Sequence, residues 1–331
     1  MRRQNRDLWP HIEFPETYGE AHSHIAEQYR LQASILENGT DTRSLAIALP
    51  HLVNLSKFSL DIYAPQECEI GDLTIALRFL DGPKATSIHH LFVCMEAFRS
   101  ANSQSGTILK SFVSRGTALY PLPETWPSRQ VLYSSAFSGI SELGFTYADT
   151  WEDTWDYLLQ NPDAHRLPCS GYRPILECSA NTLISLEIVP SRERIDFFST
   201  FDSICLDLAF PRLEQLKLGA VGVRIEGLEE FFRTRVPKLS KLTLFNVWFT
   251  DHDDQLSDLE DFRQQLEGLE RIGKAIKGLK EAVCTDIWHY DKGSVIGSGR
   301  IRTFERLLKQ EIGWREASTL VKTNYVGRGL G

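Results

Sequence analysis

The chain has 331 residues, of which 42% are hydrophobic and 24% charged, with a formal net charge of -8. That balance belongs to a folded protein rather than a disordered one, and at this length a single compact core stops growing, so two domains or an elongated array are expected. The acidic balance weighs against nucleic acid as a partner, and no apolar run approaches the roughly 20 residues of a bilayer span, so no membrane residence is expected.

The first ten residues hold two early arginines with no apolar stretch behind them, so no secretory signal is read and an intracellular place, cytoplasmic or nuclear, is expected. The six cysteines, Cys68, Cys94, Cys169, Cys178, Cys205 and Cys284, show no C-x-x-C pair or metal-ligand spacing. They are expected to be reduced, buried apolar residues. The sequons at Asn38 and Asn54 would matter only in a secreted chain.

In chain order, Ile25, Tyr29, Ala33 and Leu36 form a helical stripe, which Asn38-Gly39 ends through a left-handed cap before a second short helix near Asp41. A phrase of the form L-x-x-L-x-L then begins to recur. Its first copy is Leu55, Phe58 and Leu60; a weaker one is Leu109 and Phe112, with Ser114 in the last place. Three prolines, Pro121, Pro123 and Pro127, mark a rigid extended connection. The phrase returns at Ile140, Leu143 and Phe145, and a helical stripe of Trp151, Trp155 and Leu158 follows it.

Further copies stand at Leu183, Leu186 and Ile188, at Leu213, Leu216 and Leu218, and at Leu239, Leu242 and Leu244. Ile225, Leu228 and Phe232 form a helix face between the last two, and Leu259, Phe262, Leu266 and Leu269 form another after DHDD. A weak copy, Leu279, Ala282 and Cys284, closes the series. Gly293 to Gly299 reads as a flexible loop, and an amphipathic segment from Ile301 to Ile312 as a cap.

The copies lie about 26 to 54 residues apart, and only the shortest spacing falls in the usual range of leucine-rich repeats. The closing L-x-L of each copy predicts a strand with both apolar residues pointing into a core. The intervals suit crossover helices, which parallel strands require. The expected fold is therefore α/β, an irregular leucine-rich-repeat solenoid of parallel strands alternating with helices. An N-terminal helical cap is expected over 1–40, the array over 41–290, and a C-terminal capping segment and tail over 291–331.

YRLQASILENGTDTRSLAIALPHLVNLSKFSLDI, HHLFVCMEAFRSANSQSGTILKSF, FPRLEQLKL and VPKLSKLTLFNV together resemble the divergent fungal F-box and leucine-rich-repeat-like proteins. The resemblance implies a protein-binding repeat array, and more narrowly substrate selection for a cullin-type ubiquitin ligase. Two departures accompany it. The helical F-box motif is not visible, so no stable complex with the ligase adaptor is expected through this chain alone. The asparagine usual three residues after L-x-L is replaced by Val221 and Val247.

No residue is assigned to catalysis, to a metal or to another cofactor. Glu20, His22 and His24 read as a solvated helix start, because an H-x-H pair on a helix spreads its rings to different sides. Asp251, Asp253 and Asp254 read as an acidic helix N-terminus, since Leu256 and Phe262 occupy the positions where a calcium loop needs Gly and Glu. Arg300, Arg302, Arg306, Lys309, Arg315 and Lys322, mixed with Glu305, Glu311 and Glu316, read as a solvated helix face.

The expected function is protein binding, the partner being unidentified, through residues that alternate with the core leucines. Those are Lys57 and Asp61, Arg115, Glu142 and Thr146, Glu187, Lys217, Lys241 and Phe245, with Ser59, Val113, Gln215 and Thr243 between them. Trp248 is added as an aromatic anchor, conditional on its ring being exposed. The competing expectation is an enzyme with a cleft between N- and C-terminal halves divided near the proline-rich stretch.

Overall fold

The computed structural model describes residues 23, 26–27, 30–31, 34–35, 38–52, 55–61, 93–102, 109–115, 132, 134–147, 173–190, 199–200, 205–219, 221–245, 247–249, 258–289 and 295–326. For 61, 115, 146–147, 190, 199–200, 221–222, 248–249, 258–262, 286–289, 295–300 and 321–326 only the backbone is described. The expectations for the stripe at Trp151, Trp155 and Leu158, the prolines of 120–127, the His22/His24 pair and the acidic run at Asp251 lie outside these residues.

The strands are β1 (Lys57–Asp61), β2 (Ser111–Arg115), β3 (Glu142–Tyr147), β4 (Ser185–Pro190), β5 (Ser199–Thr200), β6 (Gln215–Gly219), β7 (Val221–Val223), β8 (Lys241–Phe245), β9 (Trp248–Phe249), β10 (Glu281–His289) and β11 (Val295–Arg300). The helices are α1 (Thr40–Ala48), α2 (Arg173–Ser179), α3 (Ile225–Thr234), α4 (Asp258–Ala275), α5 (Arg302–Leu308) and α6 (Trp314–Val326). Gly39 is left-handed, at φ 57, immediately before α1, so the turn expected there is present.

All seven copies of the phrase become neighbouring parallel strands, in the order β1-β2-β3-β4-β6-β8-β10. Their register is the one that the leucines define. Phe58, Phe112, Leu143, Leu186, Leu216, Leu242 and Ala282 form one row across the sheet, and Leu60, Ser114, Phe145, Ile188, Leu218, Leu244 and Cys284 form the next. Both rows point into one continuous core, shared with Leu228, Phe231 and Phe232 of α3 and Leu266 and Leu269 of α4. A sheet with one covered face and crossovers on that same side is an α/β solenoid of the leucine-rich-repeat type.

Two local devices fix the register. A backbone turn closes onto the first leucine of most copies, with Leu213 N–H donating to the Phe210 carbonyl and Leu239 N–H to that of Val236. Pro211 and Pro237 follow the first residue of these turns, where a preset φ favours the bend, which accounts for the proline two residues ahead of each leucine. One residue before each strand, a carbonyl accepts two N–H groups from the next copy. Ser56 takes Lys110 and Ser111, Lys110 takes Ser141 and Glu142, Ser141 takes Ile184 and Ser185, and the chain of bonds continues through Ile184, Glu214 and Ser240.

Beyond the bend after Gly219 and Phe245 a second parallel ladder runs β5-β7-β9 and joins the outer half of β10, with Gly222 opposite Trp248 and Trp248 opposite Trp288. The stretches between copies are therefore not helical throughout.

The C-terminal end corrects two expectations. The Gly293 to Gly299 loop is not a loop from Val295 onward, since 295–300 form β11, antiparallel to β10. Backbone pairing needs no particular side chain, and the exposed edge of β10 supplies the partner groups. The helix face holding Glu305 is not wholly solvated. Glu305 is buried, and its carboxylate accepts the Cys284 N–H at 3.3 Å while the Cys284 carbonyl accepts the Ile301 N–H at 2.8 Å. Helix α5 packs Phe304, Leu307 and Leu308 into the core and ends at Gln310, left-handed at φ 60, with Glu311 N–H returning to Arg306 and Gln310 N–H to Leu307.

Candidate protein-binding face

Alternation along each strand sends every second side chain away from the core, and the parallel register aligns them in rows. One row is Lys57, Ser111, Glu142, Ser185, Gln215, Lys241 and Glu281; the next is Ser59, Val113, Gly144, Glu187, Lys217, Thr243 and Val283. In the third, Asp61, Arg115 and Thr146 take the first three places and Val189, Gly219, Phe245 and Thr285 the rest.

Lys57, Glu142, Lys217 and Lys241 are exposed, and Glu187 and Phe245 half-buried. Asp61, Arg115 and Thr146 hold register positions on the same strands, while their side chains lie outside the description. The same holds for Trp248: its backbone sits in β9, on the second ladder, and the exposure of its ring is outside the described residues.

The charges of this face pair across strands. Lys217 Nζ stands 2.7 Å from Glu187, Lys241 3.3 Å from Glu281, and Lys57 3.6 Å from Glu142. The last pair spans Ser111, which is buried beneath it although its position faces outward. Glu281 was not singled out from the sequence because its copy ends in Ala282 and Cys284. The signal was present, since Glu281 precedes Ala282 as Lys241 precedes Leu242.

The apolar members cover glycines. Phe245 Cδ1 and Val189 Cγ1 come within 2.6 and 3.0 Å of where a Cβ on Gly219 would stand, so the ring lies flat over the neighbouring strand. Val113 covers Gly144 in the same way. On the same face a shallow, open hollow of about 220 Å³ is lined by Glu187, Gln215, Lys217, Lys241, Thr243 and Glu281. Enclosed small-molecule sites run from about 300 to 1,000 Å³ and are mostly apolar, unlike this hollow.

The division that an interdomain cleft requires is not at the proline-rich stretch. Strands β2 and β3, on either side of it, pair over five residues from Ser111↔Glu142 to Arg115↔Thr146, and the core continues beneath them. Among the described residues no helix is long and apolar enough to cross a membrane.

No protein-family model matches the chain, and no curated protein matches it either. Among solved structures it is similar to the leucine-rich repeat-containing protein LegL7 from Legionella pneumophila, at 12% identity over 77% of this chain and 91% of that one, with a TM-score of 0.25. The repeat architecture rests on the parallel ladder β1-β2-β3-β4-β6-β8-β10.

Proposed function

We propose that the chain is an interaction scaffold whose exposed strand face docks a protein partner. The observation that carries this reading is the face itself. Seven strands in continuous register present an open surface of small polar residues and three lysine–glutamate pairs, with Phe245 and Val113 as apolar points among them. Such a surface confers specificity through charge matching and affinity through its few apolar members. Lys57, Asp61, Arg115, Glu142, Thr146, Glu187, Lys217, Lys241 and Phe245 are its contact residues in this reading, and Trp248 belongs to it only if its ring is exposed.

The test is photocrosslinking from single positions of the full chain in its native cell. Crosslinkers at Lys217 and Thr243 should capture one shared partner, lost on reversing the charges of Lys217 and Lys241, while one at Lys274 on helix α4 should not. Capture from Lys274 alone, or from none of the three, would remove the reading.

The narrower version, selection of substrates for a cullin-type ubiquitin ligase, draws on the style of the repeats. Without a visible F-box it predicts that adaptor contact needs another chain. Co-purification of a stoichiometric adaptor complex with this chain alone would reveal an overlooked docking motif.

A further inference from the structure

The hollow on the exposed face has distinct inner and outer strands. Strands β4, β6, β8 and β10 run side by side beneath it, and the two inner ones carry Gln215 and Lys217 on β6 and Lys241 and Thr243 on β8. Its carboxylates stand on the two outer strands, Glu187 on β4 and Glu281 on β10.

Each lysine pairs outward. Lys217 donates to Glu187 at 2.7 Å on one side and Lys241 lies 3.3 Å from Glu281 on the other, so the two pairs leave the ground between them open. The amide of Gln215 and the hydroxyl of Thr243 line that ground with further donors. An ammonium has three N–H donors, which one carboxylate contact does not exhaust, and the two lysine side chains are 45% and 50% exposed, so both can turn inward.

The sign of the ligand follows from spacing. Neighbouring strands lie about 4.8 Å apart and alternate residues along a strand about 6.7 Å, so Lys217 and Lys241, on adjacent strands, can converge on one group. Glu187 and Glu281 are three strand spacings apart, about 14 Å, too far to share one cation. Two ammoniums, an amide and a hydroxyl converging on one point suit a carboxylate. Phe245 stands next in line after Thr243 on β8, with its ring over Gly219 of β6. In an extended segment, an apolar side chain two residues from that carboxylate would rest on the ring.

We infer that the hollow seats an aspartate or glutamate side chain of the protein partner, with an apolar neighbour of that residue on Phe245. The inference rests on the reading of this face as a protein-docking surface and names the chemistry that it recognises. Nucleic-acid phosphate fits less well, because the chain's formal net charge of -8 repels a polyanion whereas a short acidic segment needs only the local field. The incoming carboxylate competes with Glu187 and Glu281 for the ammoniums. The contact therefore selects partners more than it tightens them, and Phe245 supplies the apolar contribution.

Phage-displayed random peptides selected on the immobilised full chain are the test. The peptides recovered should carry Asp or Glu two residues from a large apolar residue. A synthetic copy, read by fluorescence anisotropy, should bind about tenfold more weakly once its acid becomes lysine. Exchanging both pairs, by Glu187→Lys, Lys217→Glu, Lys241→Glu and Glu281→Lys, keeps the net charge and the pairing while it puts carboxylates on the inner strands. That variant, its folding verified by far-ultraviolet circular dichroism, should reverse the preference and bind the lysine peptide better. The same exchange of Lys274 and Glu270, paired on helix α4, should change neither affinity. No recovered peptide, recovery without an acidic preference, unchanged binding of the lysine peptide, no reversal by the exchange, or an equal effect of the exchange on α4 would overturn the inference. If crosslinkers at Lys217 and Thr243 still captured a shared partner, only the acidic ligand would fall and the scaffold reading would stand.

Discussion

Substituting Gly273 by alanine tests how the cap is fastened to the array. In helix α4 a Cβ at this position would stand 2.3 Å from the Leu308 carbonyl oxygen, 3.0 Å from its carbon and 2.6 Å from Gln310 Nε2. Two of these atoms are backbone and cannot swing aside, so α4 and the end of α5 must separate. Gln310 would then lose the bonds it donates to the Glu270 and Leu307 carbonyls, each 3.1 Å long, and the left-handed turn that they brace would loosen.

Overpacking costs about 1 to 3 kcal/mol, and each lost hydrogen bond about 1 kcal/mol. Alanine returns about 1 kcal/mol of helix propensity over glycine. With both Gln310 bonds lost, the expected net loss is therefore about 2 to 4 kcal/mol. Gly278→Ala is the control, because its nearest neighbour, the Leu239 carbonyl oxygen, lies at 3.6 Å, an ordinary contact; a change within about 0.5 kcal/mol is expected there. Urea unfolding followed by circular dichroism gives both numbers, and hydrogen exchange should place the lost protection in residues 301–320. If Gly273→Ala matched or exceeded wild-type stability, the close approach of α4 and α5 would be wrong.

The remaining predictions concern the core, a surface ion pair and the thiols. Leu218→Ala or Leu244→Ala should destabilise by about 2 to 5 kcal/mol and Lys217→Ala by less than about 0.5 kcal/mol, so equal losses in chemical denaturation would remove the inside and outside assignment. Arg173 holds Asp207 through two bonds of 2.9 and 2.5 Å and keeps its carboxyl below the usual range. A lowered folded-state pKa stabilises above the unfolded value and is lost as pH falls through the folded one. The urea midpoint of the wild type should therefore fall more steeply on acidification below about pH 4 than that of Asp207→Asn, and parallel curves would refute the pairing. Burial, with the charge of Asp41 behind it, pushes the Cys94 thiol up to about 12, and burial with Glu305 raises that of Cys284. Among the described cysteines, iodoacetamide labelling of native protein near pH 8, read by peptide mass spectrometry, should spare Cys94, Cys205 and Cys284 and reach the half-buried Cys178 first.

What could be read from the sequence follows from period. Each strand of the main ladder carries at least two core positions at fixed offsets from a preceding leucine, so even the copy ending in Ala282 and Cys284 could be placed. The second ladder could not, because β5 and β9 are two residues long and β7 three, too short for any alternation to show. Strand β11 was hidden for a related reason. Its pairing partner is the free edge of β10, a property of the folded sheet, and its glycines point the other way. Glu305 was misread because a charged residue among arginines resembles surface; only the backbone geometry at Cys284 reveals the donor that it faces. The outward residues Lys57, Glu142, Lys217 and Lys241 needed nothing beyond alternation.

The missing asparagines have a structural counterpart. In a regular leucine-rich repeat the residue three beyond L-x-L turns the chain, and an amide side chain there can bond the backbone groups that the turn exposes. Val247 stands at that place, fully buried, and a valine has no polar atom to offer. The backbone groups must then find partners elsewhere, since leaving them buried and unpaired costs more than any single bond returns. Just past the turn, Val221 to Val223, Trp248 to Phe249 and the outer half of β10 pair as a second ladder. Pairing of this kind depends on main-chain atoms alone, so it leaves the side chains after the bend free to vary. The array therefore keeps its register without the repeat's most recognisable residue.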